Sequence, residues 1–135
     1  MLAMERGTGI RRTRVFLAVE VIVFAAASAV HSGLLVGGYR HEEARIAEAV
    51  IATVLLGGLV VTLVRPGLTR QAGLFAQGFA LLGTLVGLFT IIVGVGPRTV
   101  PDVILHSGLV ILLTWGLASV RRMPADGTLP VGEGS

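Results

Sequence analysis

Four apolar runs dominate the chain, separated by short segments rich in glycine, proline and charge. The first extends from Val15 to about Val36, the second from about Glu43 to Val64, the third from Gln71 to Val95 and the fourth from Pro101 to about Val120. A bilayer core needs roughly 20 apolar residues in a helix, so each run is long enough to span it. Lipid offers the backbone no hydrogen-bond partner, and single spans of this kind must therefore be helical. The breakers are well placed. Arg65-Pro66-Gly67-Leu68-Thr69-Arg70 reads as a tight turn, and Gly94 to Asp102 carries two glycines and two prolines. Pro101 and Asp102 suit the first turn of the fourth helix, where a fixed φ and a carboxylate are both favourable. The expected fold class is an all-α membrane protein, a four-transmembrane-helix bundle spanning about 15–36, 43–64, 71–95 and 101–120. Residues 1–14 read as a frayed basic tail and 123–135 as a disordered one.

Composition agrees and adds an orientation. Only 14% of the 135 residues are charged, where soluble domains carry about a quarter. The mean hydropathy is +0.86. Every basic residue is arginine. Arg6, Arg11, Arg12, Arg14, Arg65, Arg70, Arg121 and Arg122 fall on one side of a four-span topology, and Arg40, Arg45 and Arg98 on the other. Eight against three places both termini in the cytoplasm by the positive-inside bias. The net charge of +3 therefore reports topology rather than nucleic-acid binding, which needs basic residues gathered on one solvated face. With no cysteine in the chain, disulfides and thiolate metal sites are excluded. Glu20 interrupts the first run, against a secretory signal cleaved after Ala27-Ser28-Ala29. The abundance of Ala, Gly, Val, Leu and Arg points to a high-GC genome and so to a bacterial inner membrane.

Inside the runs lie groups that lipid does not tolerate. An ionised carboxylate at mid-membrane costs about 2.5–3.5 kcal/mol on insertion scales, so such residues turn inward and find partners. His31 near the end of the first span, Glu48 early in the second and His106 early in the fourth share one layer, each roughly 7 Å inside the outer boundary. A glutamate with two imidazoles is a plausible ligand set for a transition metal such as zinc, iron or manganese. The two histidines could equally be axial ligands of a haem. Asp102, one turn before His106, is expected to stand behind that ligand and accept a hydrogen bond from it, and His41, two turns before Glu48, to stand behind the ligands likewise. The same cluster could pass protons, since a histidine beside a carboxylate titrates near neutral pH. Or Glu48 simply pairs with His31, Arg45 or His106 and ties the helices together.

Glu20 lies about 16 Å along the helix from His31 on the same face, in the cytoplasmic half. Gln77, Thr62 and Thr114 fall at its depth on the other helices. Glu20 with Gln77 reads as an inner proton station, with a polar track towards His31 through Ser28, Thr53 and Thr84 as one possibility. Gly33-x-x-x-Gly37, Gly83-x-x-x-Gly87 and Gly57-Gly58 allow close helix approach and an expected homo-oligomer in the bilayer. No phosphate-binding loop, His-Glu-x-x-His motif or nucleophile elbow occurs, so an enzyme is not the favoured class.

Glu20-Val21-Ile22-Val23-Phe24, Ile46-Ala47-Glu48-Ala49-Val50-Ile51 and the stretch Gly78 to Asp102, above all Gly96-Pro97-Arg98-Thr99-Val100-Pro101-Asp102 with His106 following, resemble small four-span bacterial inner-membrane proteins of uncharacterised function. The resemblance covers roughly Val15 to Arg122 and implies the four-span fold, with no activity attached. Three functional classes follow from the residues. The leading one is a metal or haem site at His31, Glu48 and His106. The others are a proton-coupled transporter or permeation subunit, and a non-catalytic assembly partner.

Overall fold

The structure is a computed structural model that describes residues 1–95 and 98–124. It contains α1 (Leu2–His31), α2 (Glu42–Val64), a 3-10 turn (Pro66–Leu68), α3 (Thr69–Val93) and α4 (Val100–Arg121). All four helices are long and apolar enough to cross a membrane. The segment 125–135, read as disordered, and Gly96-Pro97 of the second breaker loop lie outside the described residues.

The breakers act as their chemistry requires. Pro66 begins the 3-10 turn that separates α2 from α3. Gly94 takes the left-handed conformation (φ 86°) and closes α3, with the amides of Gly94 and Val95 both returning to the Thr90 carbonyl. Thr99 and Asp102 form a reciprocal capping box at the start of α4, satisfying two of the amides that a helix N-terminus leaves open.

Both ends of α1 differ from expectation. The helix starts at Leu2 rather than near Val15, because the basic segment has something to pack on. Thr13 is buried, donates to the Gly9 carbonyl and touches Met123 Sδ at 3.3 Å. Arg12 donates to the Ser119 carbonyl at 3.3 Å, and Arg14 to the Thr62 carbonyl, both near the C-terminal ends of their helices, where cations are favoured. At the other end α1 stops at His31, short of Val36. Gly33 turns the chain with φ 79°, and the His41 amide donates back to the His31 carbonyl at 3.0 Å. Residues 32–41 are thus a folded strap over the end of the bundle, and Gly33-x-x-x-Gly37 is part of a turn rather than a helix-packing motif.

The helices form a ring in which α1 and α3 each pack on α2 and α4, and α1 also meets α3 across the centre. Leu17, Phe24, Ile51, Leu55, Ala76, Ala80, Leu109 and Leu113 make the apolar centre. Large apolar side chains point outwards: Ile22, Phe75, Leu82, Phe89, Ile104, Ile111 and Trp115 are all more than half exposed. Glu20, Gln77, Thr62 and Asp102 are instead buried. Apolar outside with acids inside is the inverse of a soluble bundle, and it is what lipid selects. Close approach relies on small residues, with Gly58 of α2 set against Ala76 of α3 and Gly73 of α3 against Thr13 and Val120.

Candidate functional site

Two polar layers interrupt the apolar interior. The first lies at the end of the bundle away from the chain termini. There α1 delivers His31 from its last residue, α2 delivers Glu48 from its second turn, and α4 delivers Asp102 from its cap. His31 Nδ1 lies 2.6 Å from Glu48 Oε2. Its Nε2 lies 3.5 Å from Asp102 Oδ1, an ion-pair contact too long for a well-formed hydrogen bond, and among the described residues Nε2 has no other partner. His31 is 2% exposed, Asp102 3% and Glu48 6%. An imidazole held between two buried carboxylates can take its proton from either side. A proton on Glu48 can be donated to Nδ1, or Nδ1–H can donate to ionised Glu48, with Asp102 facing Nε2–H in both cases.

Tyr39 completes this layer from the strap. Its hydroxyl donates to the Asp102 carboxylate at 2.5 Å, and its ring packs, tilted by 31°, against the His31 ring with centroids 5.4 Å apart. Thr99 adds a further hydroxyl to Asp102. The phenol's pKa rises above its ordinary value, first through burial and then because a phenolate would face the Asp102 charge. Tyr39 was invisible as a site residue in the sequence: it sits in a polar loop, 63 positions from Asp102, with no periodic signal linking the two.

The expected roles of Asp102, His106 and His41 change. His106 Nδ1 donates to the main-chain carbonyl of Asp102 at 2.8 Å, not to its carboxylate. The reason is helical geometry, since residue i+4 stacks over the carbonyl of residue i, while the Asp102 side chain is already committed to the cap, Tyr39 and His31. His41 caps α2 without a side-chain hydrogen bond and lies beside Tyr39, ring centroids 6.4 Å apart. Arg45 pairs with Glu42 and leaves Glu48 to His31.

Two cavities flank the cluster, and His31 lines both. One, of about 350 Å³, lies among α2, α3 and α4 and is walled by Glu48, His106, Thr84, Gly87, Phe24 and Leu109. The other, of about 520 Å³, lies between α1 and α4 and contains Asp102, Tyr39 and Leu105 in its wall. Glu48 therefore faces one space and Asp102 the other, with the imidazole as the partition.

The second layer lies deeper, towards the termini. The Gln77 amide of α3 donates to both Glu20 oxygens, at 2.9 and 3.2 Å, and both side chains are fully buried. Gly116 of α4 leaves room for the pair, since a Cβ there would collide with the Gln77 amide and the Glu20 carboxylate. Among the described residues Gln77 Oε1 has no partner. With Glu20 protonated, a turn of the amide lets Oε1 accept the acid proton, so the pair has a bonded arrangement for either charge state.

The polar track between the layers does not form. Ser28 bonds the Arg45 carbonyl, Thr84 bonds Ala80, and Thr53 bonds Ala49 and faces outwards. Thr114 also faces outwards. Thr53 and Thr84 satisfy themselves on the carbonyl one turn back in their own helices, while Ser28 spends its hydroxyl on a main-chain carbonyl of α2. Phe24, Leu55, Leu109 and Leu113, all 3% exposed or less, fill the gap.

Among the described residues no three His, Cys, Asp or Glu side chains gather as a metal-holding group. His31, the centre of the expected set, already has a carboxylate at each nitrogen. A ring of four helices, each long and apolar enough to cross a membrane, with acids sequestered inside, fits the class of small multi-pass helical membrane proteins. No family model matches the chain, nor does any curated protein or solved structure.

Proposed function

We propose that this chain is a proton-coupled transport or permeation protein of the bacterial inner membrane, with both termini cytoplasmic. In that orientation the Glu48–His31–Asp102 cluster is the outer proton station and Glu20–Gln77 the inner one. The observation that carries the reading is His31, buried, placed between two carboxylates that face separate cavities. A group built only to tie helices together needs one partner, whereas exchanging a proton between two spaces needs two.

The test is proton flux in proteoliposomes under an imposed pH gradient. Flux lost in both Glu20→Gln and His31→Ala, with the helical spectrum intact, supports the proposal. Wild-type flux in both variants, with only a lowered melting temperature, hands the cluster to a purely structural role.

Metal or haem ligation by His31, Glu48 and His106 is the second reading. It draws on one observation: His106 commits Nδ1 to a carbonyl, leaving Nε2 as the lone-pair nitrogen a metal requires. It also demands that His31 leave a carboxylate. Stoichiometric metal by elemental analysis, or a Soret band, lost in His106→Ala would favour it over proton coupling.

A further inference from the structure

We propose that the ligand of the 350 Å³ cavity is a compact lipophilic amine in its protonated form, bound in exchange for the carboxyl proton of Glu48. This deepens the proton-coupled reading and rests on it. The first support is the polarity of what the walls present. His106 uses its only ring N–H on the Asp102 carbonyl at 2.8 Å. Thr84 donates its hydroxyl to Ala80 at 2.8 Å, and Thr90 to Gly87 at 2.7 Å. Glu48 is an acceptor when ionised. Each of these wall groups therefore turns a lone pair, not a hydrogen, into the cavity, and such a surface reads a hydrogen-bond donor.

Charge points the same way. With Glu48 protonated, His31 as imidazolium and Asp102 ionised, the cluster is neutral. Loss of one proton to water leaves a charge of −1, which one monocation restores to zero. An anion would add to the deficit and a divalent cation would overshoot it, and uncompensated charge in a low-dielectric interior is costly. Every element around the cluster is accounted for: Glu48 from α2, Asp102 and His106 from α4, Tyr39 and His41 from the strap, and Glu43 on the cavity wall. The α3 residues that line the cavity are not titratable, and among the described residues no arginine lines it.

Size and wall chemistry set the rest. Phe24, Ile51, Val86, Ile91 and Leu109 make most of the surface apolar. A bare metal ion would surrender its water to a wall with few oxygens, while an amine brings its own apolar body. The volume of about 350 Å³ is at the small end of the roughly 300–1,000 Å³ typical of ligand sites, and Phe24 brings an aromatic ring to its wall, a group that attracts cations.

Benzylammonium, benzyl alcohol and benzoate share a shape and differ in charge and donors. Isothermal titration of each into the purified full-length chain in detergent, in two buffers of different ionisation enthalpy, reads affinity and protons released together. Benzylammonium is expected to bind with release of about one proton, benzyl alcohol about tenfold or more weaker, and benzoate not measurably. Glu48→Gln removes the proton release. Ala44→Phe, a wall substitution one turn before Glu48 that keeps both carboxylates, weakens binding and guards against a misfolded Glu48 variant. Equal affinity for alcohol and ammonium, binding without proton release, or no binding by any of the three overturns the ligand class. Because flux in Glu20→Gln and His31→Ala liposomes is measured without any amine, the proton-coupled reading survives or fails separately.

Discussion

Replacing Gly58 with alanine tests the α2–α3 seam of the four-helix ring. A Cβ at Gly58 would lie 2.6 Å from the Ala76 Cβ, whereas apolar carbons rest at about 3.5–4.0 Å. Neither atom can swing aside, because each is fixed to its own helix. The seam must therefore open by about 1 Å, enough to forfeit a quarter to a half of the dispersion well for the contacts it separates. Overpacking of this kind costs about 1–3 kcal/mol. The other neighbours of that Cβ, the Ala72 carbonyl at 3.5 Å and Leu17 Cδ2 at 3.9 Å, are ordinary contacts, so the whole cost comes from one methyl group. Removing it in Gly58→Ala/Ala76→Gly should return most of the loss. Reversible unfolding in mixed micelles of the four proteins of that double-mutant cycle measures it. A neutral Gly58→Ala, or a double variant no better than the sum of its singles, would refute the packing described here.

Two further outcomes are expected. Tyr39 is the chain's one tyrosine, so tyrosinate absorbance reports it alone. Its midpoint should lie above the usual value of about 10 and fall back towards it in Asp102→Asn, since burial and then Asp102 hold the phenol protonated. A folded-state pKa raised above the unfolded one means that the stabilisation is intact below pH 10 and is lost as pH climbs through the folded value, so Tyr39→Phe should blunt alkaline unfolding. A midpoint at or below 10 in the folded protein contradicts the contact. For orientation, the chain has no cysteine, so Gly7→Cys and Gly37→Cys, both at positions with open space beside them, can be labelled in intact cells with an impermeant maleimide. Labelling of residue 37 alone agrees with cytoplasmic termini; labelling of residue 7 alone reverses the topology.

Much of this protein is written locally. The number of spans and the breakers at Pro66, Gly94 and Thr99–Asp102 depend on residues within a few positions of each other, and α2, α3 and α4 begin and end within about two residues of the expected bounds. That Glu20, His31 and Glu48 face inwards was equally legible, because the cost of placing an acid in lipid needs no partner to be known. The pairing of Glu20 with Gln77 could be anticipated from shared depth alone.

What sequence could not supply was anything that depends on contacts across the ring. The helical course of residues 2–14 exists because Thr13 meets Met123 and two arginines meet carbonyls of other helices. The turn after His31 depends on a hydrogen bond from His41, and it lowers Tyr39 onto Asp102. His31-Ser32-Gly33-Leu34 and His106-Ser107-Gly108-Leu109 read alike, yet Gly33 turns a chain and Gly108 sits within a helix. Depth along a helix follows from counting residues, but the rotation and register of four helices are settled by packing. That packing gave Asp102 to His31 and left His106 with a backbone carbonyl.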